Sequence, residues 1–364
     1  MVWLPRCGLL ALLAVALAGL ALLGSPPAPS SSQTAWRRAR QAAWAEEPAA
    51  TASPVAAKAP DGRAPRDPAA WGSDHVDGEV PEFVEAGECL FCHRNDVGPT
   101  WSQTDRHSQT IRDKAVDSPP IEALAKDPAL KPFADEATLV MGDRRQTRFL
   151  KRGERYGHLD LLSVGAGPSR GTRYRLNHTE NPHWDAKTFG AQCAGCHTTG
   201  VDPETMSFST VPIDCFACHG DSPLEHANDA KLMLLAKERH DPPEVVTSIC
   251  ASCHVRFGKS KTTERPYPTN FVPGDNLFRD FEVDWSRADD PHLNPADAHV
   301  LENVRDVALY GGQQTCLSCH EVHKRTTLAH RKLPETRYCR HCHEPGKPLT
   351  EHKSYEVHSE RCQY

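Results

Sequence analysis

Apolar side chains are scarce in this chain: of its 364 residues only 38% are hydrophobic and 7% aromatic. That excludes a large oily core built from side chains alone, although the length would accommodate two ordinary domains. Methionine is scarcer still, with Met141, Met206 and Met233 the only ones after the start residue, so a thioether cannot be the general metal ligand here. No block of lysine and arginine marks a nucleic-acid surface, and the formal charge is −6. The short RRAR at 37–40 reads as a solubilising piece of linker. What the chain has in excess is 30 prolines, 20 histidines and 14 cysteines, an inventory of metal-binding and redox chemistry rather than of packing. Something other than side chains is expected to fill the interior.

Residues 1–24, MVWLPRCGLLALLAVALAGLALLG, carry one arginine and an apolar run from Cys7 to Leu23, the pattern of an export signal. An uncleaved N-terminal membrane anchor is the rival reading, because the run nearly spans a bilayer and a Pro/Ala-rich tether follows it. Residues 25–80 are rich in Ala, Pro, Ser and Arg without periodicity and read as a disordered linker. The functional body is therefore expected over 81–364, in the periplasm or at the outer cell surface.

Six copies of Cys-x-x-Cys-His dominate that body: Cys89/Cys92/His93, Cys193/Cys196/His197, Cys215/Cys218/His219, Cys250/Cys253/His254, Cys316/Cys319/His320 and Cys339/Cys342/His343. Three chemistries use closely spaced cysteines. A disulfide across two residues is strained and gives no reason for the histidine, and zinc knuckles do not require histidine at the fifth position every time. Six such histidines by chance have odds of roughly 10⁻⁸ at this composition, whereas covalent attachment of haem c demands each of them. Cysteines at i and i+3 share one face of a helical turn, so both sulfurs reach the two vinyl groups of one haem, and the next residue brings its imidazole under the iron. Six covalently bound haems over 81–364 leave roughly 47 residues for each, too few for separate apolar pockets, so the haems are expected to pack against one another. The motifs starting at Cys193 and Cys215 are 22 residues apart, and those at Cys316 and Cys339 are 23 apart, a spacing that suits closely packed haem pairs.

Each iron takes a second axial ligand or keeps an open position. Fourteen histidines lie outside the motifs, more than twice what six bis-His sites need. The best placed are His107 downstream of the first motif, His226 seven residues after His219, His323 three residues after His320, and His352 and His358 near the end. Of His178 and His183 one is expected to serve, and His183 is taken. His299 and His330 are weaker candidates, and His75 and His341 read as solvent-exposed. The expected fold is mainly α with little regular structure, packed around haem, with a small β-hairpin insertion over 137–176 where short apolar runs are separated by glycine and charge.

The chain resembles the multihaem c-type cytochromes related to the tetrahaem electron acceptor of hydroxylamine oxidoreductase. The resemblance runs over roughly 85–362. It rests on ECLFCH followed by Trp101 and His107, on MGDRRQTRFLKR, on CAGCHTTG followed by DCFACHGDSPLEH, and on CHEVH. In that family the later histidine of the CHG…H and CHxxH stretches commonly ligates a haem on its distal side, which implies that role for His226 and His323. The final HKSYEVHSERCQY is similar to a family segment that precedes one more haem motif, but here only Cys362 follows, which reads as an inert thiol or an intermolecular contact. No motif ends in lysine, as the one at the catalytic haem of ammonia-forming nitrite reductases does.

Fold relatives of this kind include carriers and enzymes. The expected function is an exported hexahaem cytochrome relaying electrons between redox partners, such as a quinol-oxidising membrane complex or a periplasmic or extracellular oxidoreductase. Haem propionates and ferric centres together leave such a protein acidic and suited to basic partner surfaces. The alternative is an oxidoreductase acting on a small nitrogen or sulfur compound at one open haem. An oligomeric conductive assembly is a third reading.

Overall fold

The computed structural model describes residues 63–72 and 82–323, apart from 104, 116–117, 143–145, 168–174, 178–180 and 269–270. The leader, the sixth motif (Cys339, Cys342, His343), His352 and His358 lie outside the described residues. In chain order the elements are α1 (Ala86–His93), α2 (Gly98–Gln103), β1 (Ile111–Asp113), α3 (Pro119–Lys126), α4 (Lys131–Glu136), β2 (Leu139–Gly142), β3 (Thr147–Arg152), β4 (Leu159–Gly167), β5 (Arg175–Leu176), β6 (Trp184–Asp185), α5 (Thr188–Gln192), α6 (Ala194–His197), β7 (Thr199–Val201), β8 (Phe208–Thr210), α7 (Phe216–His219), α8 (Pro243–His254), β9 (Gly258–Ser260), β10 (Phe281–Val283) and α9 (Pro295–Tyr310), with five short 3₁₀ turns among them.

A six-stranded antiparallel sheet occupies the haem-free stretch between the first two motifs. Its order is β1-β2-β3-β4-β5, and β6 pairs with β4 beside β5. Strand alternation divides its side chains between two cores. Val140, Phe149, Leu162, Val164 and Ala166 face Ile121, Leu124 and Leu130 around α3 and α4. Leu139, Met141, Leu150, Leu159 and Leu161 face the other way, onto Phe189, Ala194, Phe208 and the half-buried Cys193. The register keeps these sets apart, with Leu139 opposite Leu150 and Leu150 opposite Leu161. The second face of the sheet is thus the floor on which the motif at Cys193 is built.

The other large core joins α8 to α9 through the β9–β10 hairpin, with Ala251, Val255, Leu277, Phe278, Phe281, Leu301 and Val304 buried together. The ends of α9 follow from its sequence: the Asn294 side chain accepts from the Ala296 N–H at 2.9 Å, Pro295 takes the first turn, and Gly311 closes the helix at φ +68°.

Two expectations need correction. The fold is not mainly α: the described residues are 37% helix and 16% strand, with several antiparallel sheets. The motifs take up only short helical turns, and the stretch expected to hold one small hairpin folds as a sheet reaching from Ile111 to Asp185 with two helices on one face. Residues 63–72, read as disordered linker, are packed. Arg66 Nε donates to the Ala308 carbonyl at 3.0 Å and its terminal nitrogen to the Val307 carbonyl at 2.6 Å, while Arg63 reaches the Tyr310 carbonyl and Trp71 packs against the α8–α9 core. Two cations at the C-terminal end of α9 meet its last-turn carbonyls and its negative dipole end.

Candidate haem-binding site

The five described motifs sit on short turns whose backbone bonds align the two sulfurs. The amide of the second cysteine donates to the carbonyl of the first in Cys196–Cys193 (3.2 Å), Cys218–Cys215 (3.1 Å) and Cys319–Cys316 (3.2 Å). Cys89, Cys92 and His93 lie on α1, and Cys250, Cys253 and His254 form the last turn of α8. Each turn thereby presents two thiols on one side and an imidazole at its end.

Three of these imidazoles face a second one. The ring centroids of His93 and His226 are 6.2 Å apart, those of His219 and His323 are 6.0 Å apart, and those of His254 and His107 are 6.1 Å apart. The separation is too long for face-to-face packing of flat rings and fits an intervening metal. A metal–nitrogen bond of about 2 Å, plus roughly 1.2 Å from ring vertex to ring centre, places two imidazoles on one iron about 6.4 Å apart, centre to centre. The first two pairs are nearly parallel, with interplanar angles of 14° and 10°, and the third is crossed at 77°.

Hydrogen bonds at the far nitrogen suit the same role. Nδ1 of His93 meets Asp96 Oδ2 at 3.1 Å, that of His219 meets the Leu234 carbonyl at 2.7 Å, that of His226 meets the Pro223 carbonyl at 2.6 Å, and that of His107 meets Asp105 Oδ1 at 3.3 Å. An acceptor at Nδ1 fixes the proton there and leaves the Nε2 lone pair for a metal. Burial pushes His219 and His323 below the usual imidazole range. His254 is pushed down to about 4, by burial first and then by His107, His320 and Arg256. These rings are neutral at pH 7, the form that ligates iron.

The thiols link the motifs to one another. Cys89 lies close enough to Cys215 to perturb its ionisation, and the same holds for Cys196 with Cys253 and Cys250 with Cys316. The thiol of Cys218, pushed up to about 12 by burial, lies within electrostatic range of Cys253. The first motif therefore adjoins the third, the third adjoins the fourth, and the fourth adjoins both the second and the fifth. Asp214 ties the first contact together: its Oδ2 accepts from the Ala86 N–H at 2.9 Å at the start of α1, and its other oxygen accepts from the Cys215 N–H.

His183 is exposed, with Nδ1 on the Asn181 carbonyl at 2.9 Å, and no described imidazole faces it. The Nδ1 of His197 is buried without a hydrogen-bond partner among the described residues. Two residues that sequence reasoning passed over stand beside the site. Tyr267, fully buried, packs its ring on Gly195 inside the second motif and donates its hydroxyl to the Gly190 carbonyl. Asp105, also fully buried, supports His107; it stands in the TDRH stretch, two residues before His107, where only its burial gives it weight.

The residues present fit haem c: paired thiols on a turn, a neutral imidazole at its end, and in three cases a second imidazole at the distance one iron requires. No family model and no curated protein matches the chain. Among solved structures it is similar to the undecaheme cytochrome from the S-layer of Carboxydothermus ferrireducens, at 15% identity and a TM-score of 0.39, over 75% of this chain and 45% of that one. The chain spans less than half of that protein's length, and a likeness this shallow carries no argument about fold or function.

Proposed function

We propose that the chain is an exported multihaem c-type cytochrome that relays electrons between redox partners. The observation that carries this reading is the set of three facing imidazole pairs, each with a gap that suits one iron. In it, Cys89/Cys92, Cys215/Cys218 and Cys250/Cys253 would hold three haems covalently, and His93 with His226, His219 with His323, and His254 with His107 would supply the imidazoles to their irons. Cys193/Cys196/His197 and Cys316/Cys319/His320 hold two more, and Cys339/Cys342/His343 a sixth. Bound haem supplies a one-electron Fe(III)/Fe(II) couple.

The protein's part is to keep these couples close and capped. Cross-motif thiol contacts place neighbouring attachment points side by side, the arrangement that short electron steps need. Two imidazoles per iron leave no coordination position for substrate, which suits a carrier rather than a catalyst. Partners would be redox proteins with basic docking surfaces, since six haems add more propionate charge than their ferric centres return.

The test is haem quantification and mass measurement on the exported protein, followed by reductive titration. The reading expects six covalent haems that all reduce and reoxidise without binding carbon monoxide at the three paired sites. Fewer than three covalent haems, or stoichiometric carbon monoxide binding at the paired sites, would overturn it, the latter in favour of an open-haem oxidoreductase.

A further inference from the structure

Asp105 follows α2 and is fully buried. Its Oδ1 accepts the His107 backbone N–H at 2.7 Å and faces His107 Nδ1 at 3.3 Å. Its Oδ2 is buried with no hydrogen-bond partner among the described residues, so the carboxylate is only half satisfied. Its main chain is fixed on both sides: the Asp105 N–H donates to the Thr100 carbonyl at 2.9 Å, and the Asp105 carbonyl accepts from Ser108 Oγ at 3.3 Å. The same Ser108 hydroxyl also bonds the Trp101 carbonyl, and the Trp101 ring lies 5.8 Å from the His323 ring; the carboxylate's charge acts on His323 and on Cys218. One carboxylate therefore touches the ring paired with the fourth motif, and its charge reaches the ring paired with the third and one of that motif's thiols.

A buried charge without a full set of partners is costly to keep, and such a group is retained where its field is used. Here the field has two effects of the same sign. A carboxylate at Nδ1 makes the imidazole a stronger donor through its other nitrogen. A nearby negative charge in a poorly screened interior favours the more positive of two metal charge states.

We propose that Asp105 is a tuning residue that lowers the reduction potentials of the third and fourth haems together. The inference rests on the multihaem reading above, and it assigns a function to a side chain that ligates no iron.

The experiment compares wild type, Asp105→Asn and Asp105→Glu as haem-loaded proteins, by optical redox titration with electron paramagnetic resonance on the same samples. Asp105→Asn keeps the size and the acceptor for the His107 N–H but removes the charge. Two of the haem components should become at least tenfold easier to reduce, about 59 mV upward for a one-electron couple, while the signals remain low-spin. Asp105→Glu keeps the charge and should move neither component more than threefold. If Asp105→Asn fails to assemble with a full haem complement, Asp105→Ser, smaller and also uncharged, is read in the same way.

Unchanged potentials in a fully loaded, low-spin uncharged variant would overturn the inference and leave the paired-histidine reading standing. A shift as large in Asp105→Glu would overturn it too, by assigning the effect to geometry. Wild-type irons at these two sites that are not bis-His would instead sink the underlying reading and the inference with it.

Discussion

Adding one methyl group at Gly195 should damage the protein at a single haem. Cys-x-x-Cys-His leaves its two middle positions unspecified, yet a Cβ at 195 would lie 2.8 Å from Tyr267 Cε2 and nearer still to Cδ2 and Cγ. Carbon atoms in contact prefer about 3.5–4.0 Å, so the ring must shift by about 1 Å or more. Tyr267 has no room to do so, being fully buried with its hydroxyl held by the Gly190 carbonyl. Overpacking of this kind costs about 1–3 kcal/mol, and loss of the hydroxyl bond adds about 1 kcal/mol. Gly195→Ala should therefore destabilise by about 3 kcal/mol, which for a body of this size lowers Tm by about 6–12 °C. Tyr267→Ala should recover part of that loss in the double variant, because it removes Cγ, Cδ2 and Cε2, the three atoms that the new methyl strikes. Thermal melts of the four proteins of the cycle, with haem counted on each, provide the assay. A Gly195→Ala protein that melts within 2 °C of wild type with all its haem, or a Tyr267→Ala background in which the two losses simply add, would refute the steric argument.

Further outcomes follow from the same contacts. His226→Ala and His323→Ala should each open one iron, so the reduced variant binds one carbon monoxide per chain beyond wild type; photolysis spectra would show it, and no extra binding would contradict the pairing. Arg66→Ala removes two bonds to carbonyls at the end of α9 and the 2.8 Å pair with Glu244. With the guanidinium more than a third exposed, the loss should be about 1–2 kcal/mol by denaturant titration; a change below about 0.3 kcal/mol, within the scatter of additivity, would mean that the 63–72 segment is not anchored as described. Asp185 is held below the usual carboxylate range by the Thr188 hydroxyl and by the backbone N–H groups of Thr188 and Lys187. Its contribution should thus be full at neutral pH and fade as pH falls below the unfolded value and through the lowered folded one. The stability gap between wild type and Asp185→Asn should begin to narrow below about pH 5 and close only as pH falls through the lowered folded value; a gap that stays constant as the carboxyl is protonated would argue against it.

The proposed attachment motif is legible because it is local: two thiols and an imidazole within five residues need nothing from the rest of the chain. Candidate second ligands could be named only as residue types near a motif; the rings of His107, His226 and His323 lie about 6 Å from those of His254, His93 and His219. Which faces which was not legible, since the nearest motif in sequence is often the wrong one. His323 follows the fifth motif but faces the third, and His107 follows the first but faces the fourth. Those partnerships depend on packing over more than a hundred residues. The sheet was underestimated for a related reason. Short apolar runs such as LVMG and TRFLK suggest a hairpin locally, while β1, β5 and β6 are too short to stand out until β2–β4 recruit them. Residues 63–72 were misread because composition averages away single anchors: Arg63, Arg66 and Trp71 are three residues in a Pro/Ala-rich stretch, and each has a specific seat.

The central claim is that three imidazole pairs each share one iron, and their ring orientations make it testable directly. Parallel imidazoles donate into the same iron dπ orbital and split the pair, giving a rhombic low-spin ferric signal; crossed imidazoles donate one into each, giving a nearly axial signal with a large maximum g value. Electron paramagnetic resonance of the oxidised, haem-loaded wild type should be compared with His226→Ala, His323→Ala and His107→Ala. The first two variants should each lose one rhombic signal per chain and His107→Ala one large-g signal, every loss being matched by one new high-spin haem. A wild type already high-spin at these sites, or a His107→Ala variant that keeps every large-g signal, would contradict the account.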